Sequence, residues 1–109
     1  MTRICFDEKN LSMSFEGHAG AGERGSDLVC AGVSTLMGTL RAMCELFEEL
    51  KAETQVGEVS VKIRLHPDKG YEGSGKLIMQ TIFAGCCLLA KEYAENVEVR
   101  EAGENACNE

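Results

Sequence analysis

Leu11, Met13 and Phe15 alternate with Ser12, Ser14 and Glu16, the period of a strand with one buried face. Upstream, Thr2 to Phe6 has β-compatible character in Ile4, Cys5 and Phe6, and the polar run Asp7-Glu8-Lys9-Asn10 between the two segments predicts a β-hairpin. Four glycines between Gly17 and Gly25 exclude a regular element there. From Asp27 to about Ala52, Val29, Val33, Leu36, Leu40, Met43, Phe47 and Leu50 recur at three- and four-residue intervals, with Arg41, Glu45, Glu48, Glu49 and Lys51 opposite, which predicts an amphipathic helix. Val59, Val61, Ile63 and Leu65 alternate with Ser60, Lys62, Arg64 and His66 as the clearest strand, closed by the turn His66-Pro67-Asp68-Lys69-Gly70. A second helix is expected from about Ser74 to Glu95, stopped at Asn96, and Val97, Val99 and Glu101 alternate as a last strand.

The order is therefore β-β-α-β-α-β. Strand–helix–strand crossovers are right-handed, so both helices fall on one face of a four-stranded mixed sheet, a two-layer α+β domain. It spans residues 1–101, with 102–109 a polar, acidic and loose tail. The sheet's second face then needs cover, and a bare face in a small domain often becomes a dimer contact.

Composition narrows the function classes. At 109 residues, 44% hydrophobic and 27% charged, the chain suits one ordinary soluble domain. No apolar run approaches the roughly 18 residues of a membrane span, and the N-terminus lacks the apolar core of a signal peptide, so a cytoplasmic location is expected. Six cysteines could suggest a disulfide framework, but adjacent Cys86-Cys87 suit neither a bridge nor a chelate, and reduced thiols are expected. With no Cys-x-x-Cys and two histidines, a zinc site is disfavoured and no metal or organic cofactor is expected. The net charge of −7 disfavours direct nucleic-acid binding and favours a basic partner, although acids also simply keep a protein soluble.

Chemistry concentrates between Gly17 and Ser34. His18 ends the alternating run, a loop with Gly20, Gly22 and Gly25 follows, and Cys30 comes next. If Ser26 or Asp27 caps the helix, Cys30 lies in its first turn, where free N–H groups and the macrodipole stabilise a thiolate. A nearby imidazole would add a thiolate–imidazolium pair and a proton for a leaving group. Taken alone, a cysteine is more often a small buried hydrophobe, and Cys44 on the helix stripe reads that way. His66 competes as the imidazole but sits in a turn before Pro67. Asp27 has the plain role of cap and Ser34, on the face of Cys30, that of an intrahelical hydroxyl. The loop Gly17, Gly20, Gly22, Gly25 is either a connector or a mobile lid.

Gly17-His18-Ala19-Gly20, the glycine-bearing loop, and Asp27-Leu28-Val29-Cys30-Ala31-Gly32-Val33-Ser34 resemble the signature of the ribosomal-processing cysteine protease family Prp, once catalogued as a domain of unknown function. The likeness extends over the chain in length and element order. It implies that His18 and Cys30 are the catalytic pair, with Asp27 and Ser34 in supporting positions, and that the protein is a bacterial homodimer. It also implies the substrate: a short N-terminal extension on large-subunit ribosomal protein twenty-seven, which is basic. Where the family pattern has two alanines after the cysteine, this chain has Ala31 and then Gly32, a change expected to loosen the helix by up to about 1 kcal/mol. In the implied mechanism the Cys30 thiolate attacks the scissile carbonyl, N–H groups near the helix start hold the oxyanion, and His18 protonates the departing amine. Alternatives from other classes are a non-catalytic ribosome-associated module holding a basic tail, and another thiol enzyme acting on peroxides or thioesters.

Overall fold

The computed structural model describes residues 1–17 and 24–102, with the backbone alone for residues 24–27. Strands β1 (Thr2–Asp7) and β2 (Ser12–Glu16) form the expected hairpin, Arg3 opposite Glu16 and Asp7 opposite Ser12. Helix α1 (Arg24–Leu46) follows, then a 3-10 turn Glu48–Leu50, strands β3 (Glu53–Val56) and β4 (Ser60–Arg64), helix α2 (Glu72–Glu92) and strand β5 (Val97–Glu101). The strands lie in the order β3-β4-β2-β1-β5. β5 runs parallel to β1, and the other neighbouring pairs are antiparallel. The α+β class is the expected one, with five strands rather than four.

The additional strand is β3. Its residues Glu53-Thr54-Gln55-Val56 are all exposed, so no apolar alternation marks them. The strand exists because it folds back on β4 with Thr54 opposite Ile63 and Val56 opposite Val61, and Gly57 N–H donates to the Ser60 carbonyl at 2.8 Å across the tip. Helix ends also shift. α1 stops at Leu46 instead of near Ala52, and α2 ends at Glu92, with Tyr93 as its cap; Asn96 N–H then bonds the Tyr93 carbonyl in the following turn. Ala102 is not loose, since its N–H donates to the Phe6 carbonyl at 2.7 Å; the rest of the tail lies outside the described residues.

Alternation sends Ile4, Phe6, Met13, Phe15 and Ile63 from the sheet into one core with Val29, Val33 and Leu40 of α1 and Met79, Ile82, Phe83 and Cys86 of α2. Both helices thus share one sheet face. Phe6 and Phe83 meet across the layers with ring centroids 5.2 Å apart. At 21 residues α2 is long and apolar enough, by length and composition, to cross a bilayer. This corrects the expectation that no apolar run approaches a membrane span; the inner side of α2, with Met79 and Cys86 fully buried, lies in the core, while Leu77, Ala84 and Leu88 are exposed. Gly32 has a packing reason: a Cβ there would lie 3.0 Å from both methyls of Leu89 on α2, so glycine lets the helices approach.

The second sheet face corrects an expectation. Arg3, Lys62, Arg64 and Arg100 lie there with Glu53 and Glu98, and Arg3 Nε and Arg100 Nη2 pair with Glu98 at 3.6 and 2.7 Å. A charged face is satisfied by water, so nothing forces it into a dimer contact. Exposed apolar side chains lie elsewhere: Leu77 and Leu88 on α2, Leu28 and Leu46 on α1, and Val56 and Val59 at the tip of the β3–β4 hairpin.

Candidate active site

Where β2 ends, the chain must turn sharply. Gly17 takes φ +95° and donates its N–H to the Val59 carbonyl at 2.8 Å, and a Cβ at this position would collide with the Met1 carbonyl oxygen. No other residue type meets both demands. The turn delivers the backbone into an open cleft of about 290 Å³ between α1 and the β3–β4 hairpin, with Gly17 on its wall. Cys30, Val33, Ser34 and Met37 form the α1 wall, spaced as one helix face. Phe15 and Glu16 of β2 and the hairpin residues Val56 to Val61 complete it.

The predicted thiol therefore lies on the wall of the cleft, exposed and free. Ser34 joins it, one turn further on. Its hydroxyl makes no hydrogen bond among the described residues, unlike Thr35, which donates to the Ala31 carbonyl at 2.8 Å. His18, Gly20 and Gly22, and with them the expected lid, lie outside the described residues. Gly17, bonded to His18, is in the cleft wall. The competing imidazole is excluded by position. Ser60 and Val61 at the start of β4 line the cleft, whereas His66 lies beyond the strand's other end and pairs with Glu53 at 4.0 Å.

Two details of the helix start differ from expectation. α1 begins at Arg24, so Gly25, Ser26 and Asp27 are inside it, and neither Ser26 nor Asp27 is its cap. Cys30 is consequently its seventh residue, beyond the first turn, where a helix dipole acts most strongly. The unpartnered N–H groups belong to the first four residues, and that of Cys30 is committed to the helix ladder, so it is not a free oxyanion donor. Asp27 keeps a position three residues before Cys30, on the same helix side.

The other described cysteines are set up differently. Cys5 is disulfide-bonded, which corrects the expectation that all six thiols are reduced. Burial raises the Cys44 thiol above its ordinary value, helped by Glu45. Burial, and secondarily neighbouring Cys87, push Cys86 up to about 12. Burial and then Glu101 raise Cys87 as well. No group of three or more His, Cys, Asp or Glu that could hold a metal occurs among the described residues.

Sequence reasoning had not identified the hairpin wall or Met37. Met37 was readable as the helix-face successor of Cys30 and Ser34. The hairpin was not, because it reaches the cleft only through its register with β2, Phe15 opposite Val61 and Glu16 opposite Ser60.

A free, exposed thiol on the wall of an open cleft in a two-layer α+β domain is the arrangement of a cysteine hydrolase. The family described as cysteine protease Prp matches residues 1–98, and the chain belongs to this family of cysteine proteases. It is 29% identical over 92 residues to the ribosomal processing cysteine protease Prp of Staphylococcus aureus, covering 84% of this chain and 86% of that one. The crystal structure of the essential ribosomal processing protease Prp from S. aureus, with a covalently linked product peptide, superposes with a TM-score of 0.75 at 26% identity, over 94% of this chain and 100% of that one. SMU.848 from Streptococcus mutans shares the fold at 24% identity and a TM-score of 0.71, over 92% and 90% of the two chains. Family membership decides against a purely non-catalytic module.

Proposed function

We propose that this protease removes the N-terminal extension of large-subunit ribosomal protein twenty-seven, with Cys30 as nucleophile and His18 as its acid–base partner. The observation that carries the reading is the joint presence of Cys30 and Gly17, the residue bonded to His18, on the wall of one cleft. Because Cys30 lies beyond the first turn of α1, forming the thiolate falls to the imidazole more than to the helix terminus. The thiolate sulfur attacks the scissile carbonyl carbon; the C–N bond breaks, and the imidazolium gives its proton to the departing amine. Water, losing a proton to the same imidazole, adds to the thioester and releases a carboxylate and the free thiol. Ser34, whose hydroxyl has no partner among the described residues, is suited to donate to the developing oxyanion. Asp27, one turn before Cys30, is the candidate to orient His18.

Glu16 and Glu58 stand on the cleft wall, and with the overall charge of −7 they favour a basic substrate chain. A second copy of the chain is the proposed cover for the uncharged outer face of α2, where Leu77, Thr81, Ala84 and Leu88 recur at helical spacing and are all exposed. Leu88→Glu is then expected to yield monomer in sedimentation.

The test is to mix the purified protein with full-length ribosomal protein twenty-seven and read the product by mass spectrometry. A single cut near the N-terminus is expected. An intact substrate beside demonstrably folded protein overturns the reading.

A further inference from the structure

The outer sheet face carries one end of a covalent bond whose other end is not among the described residues. Cys5 lies on β1 between Arg3 and Asp7, with Ser14 of β2 and Arg100 of β5 as its lateral neighbours. Because Ile4 and Phe6 belong to the core, alternation turns Cys5 the other way. Cys5 is disulfide-bonded, yet Cys30, Cys44, Cys86 and Cys87 are free, and all four belong to the helices on the opposite side of the sheet. One cysteine of the six is left. It is Cys107, which lies outside the described residues and beyond residues 1–98, so nothing in the family match accounts for it.

The chain is long enough for the connection. Ala102, whose N–H donates to the Phe6 carbonyl at 2.7 Å, continues the β1–β5 register to a place level with Asp7. That is one strand across and two residues along from Cys5, roughly 8 Å away. Five residues from Ala102 to Cys107 reach about 17 Å when extended, so they can loop back to the Cα separation of about 4–7 Å that a disulfide needs. Charge favours the same path. Lys62, two strands from Cys5 in the same row, and Arg64 beside it have no ion-pair partner among the described residues, whereas Glu104 and Glu109 flank Cys107.

We propose that Cys5 and Cys107 form a redox tether that docks residues 103–109 on the outer sheet face, Glu104 and Glu109 toward Lys62 and Arg64. The bridge closes on a low-molecular-weight disulfide, here glutathione disulfide. One protein thiolate attacks a glutathione sulfur and expels a glutathione thiolate; the second attacks the protein sulfur of the mixed disulfide and expels the other. Two electrons and two protons thus pass from the protein thiols to glutathione, and a dithiol reverses the step. Joining residues 5 and 107 closes almost the whole chain into one loop, the case in which a cross-link restricts the unfolded state most. Cys5 is not on the cleft wall, so stability follows the redox state and turnover does not.

The protein, treated with glutathione disulfide, is unfolded in denaturant with iodoacetamide and digested with trypsin without reductant. Expected is the peptide Ile4–Lys9 joined to the peptide that begins at Glu101, a species lost with dithiothreitol. Label on Cys5, or Ile4–Lys9 joined to a second Ile4–Lys9 or to any other cysteine peptide, would overturn the tether. Cys5→Ser, Cys107→Ser and reduction should each lower Tm by at least about 5 °C, and reduction should lower neither variant further. In one buffer, kcat/KM of Cys107→Ser should match that of the wild type within about twofold. The double variant K62E/R64E should close the bridge at least about threefold more slowly from the reduced protein. A Tm indifferent to reduction, a loss of turnover in Cys107→Ser, or an unchanged closure rate counts against the proposal.

Discussion

Cys30 and Cys86 carry the same atom in opposite settings. Cys30 stands exposed on the wall of a cleft, beside a hydroxyl with no partner among the described residues. Cys86 is fully buried in α2 among Met79, Ile82 and Phe83, and burial pushes its thiol up to about 12. Surroundings, not residue type, make one a candidate nucleophile and the other a small hydrophobe.

The same substitution at both positions should separate the two roles. Cys30→Ser is expected to lower kcat/KM on the ribosomal substrate by at least about 10³-fold while moving stability by less than about 0.5 kcal/mol. Cys86→Ser should do the reverse: turnover is retained, and burying a hydroxyl without a partner costs about 1–3 kcal/mol in chemical denaturation. If both variants lose activity and stability together, the contrast fails. Between them falls Ser34→Ala, expected to lower kcat by up to about 10²-fold with little change in KM, the signature of a donor used in the transition state.

Iodoacetamide followed by peptide mass mapping offers a reading without mutation. In the folded protein at neutral pH, Cys30 should be labelled well before Cys86, which should react only after unfolding. The raised Cys86 value also gives a sign for alkaline stability. An unfolded chain surrenders this proton near 9.0 whereas the folded one keeps it to about 12, so its contribution is whole below 9.0 and is lost as pH rises toward 12. Denaturation midpoints should fall over that window, and the fall should be shallower in Cys86→Ala.

The smallest expected effect tests the helix contact behind the site. Gly32→Ala gains about 1 kcal/mol of helix propensity, but the added methyl sits 3.0 Å from the Leu89 side chain. A net stability change below about 1 kcal/mol is expected, with activity unaltered.

The motif around His18 and Cys30, the first hairpin, the β4 alternation and the last strand were legible because each is encoded in residues close in sequence. Helix ends were less so: the α1 stripe continues through Phe47 and Leu50 although the helix stops at Leu46, since Leu50 is buried from a 3-10 turn instead. The reading of Ser26 or Asp27 as cap failed for the same reason; several polar residues there suit a helix start, and periodicity does not choose among them.

Local pattern by itself determined the two-layer class, the apolar set that fills the core, and the Gly17–Ser34 stretch that resembles the family signature. What only the tertiary structure decided was the strand β3, the charged character of the outer sheet face, the removal of His66 from contention, and the hairpin wall of the cleft. Each depends on pairing between segments far apart in the chain: Val56 with Val61 in a hairpin no apolar rhythm announces, and Phe15 with Val61 across the sheet. Periodicity records which side of an element is buried; it does not record what the opposite side will face, and a cleft is made of such opposite sides.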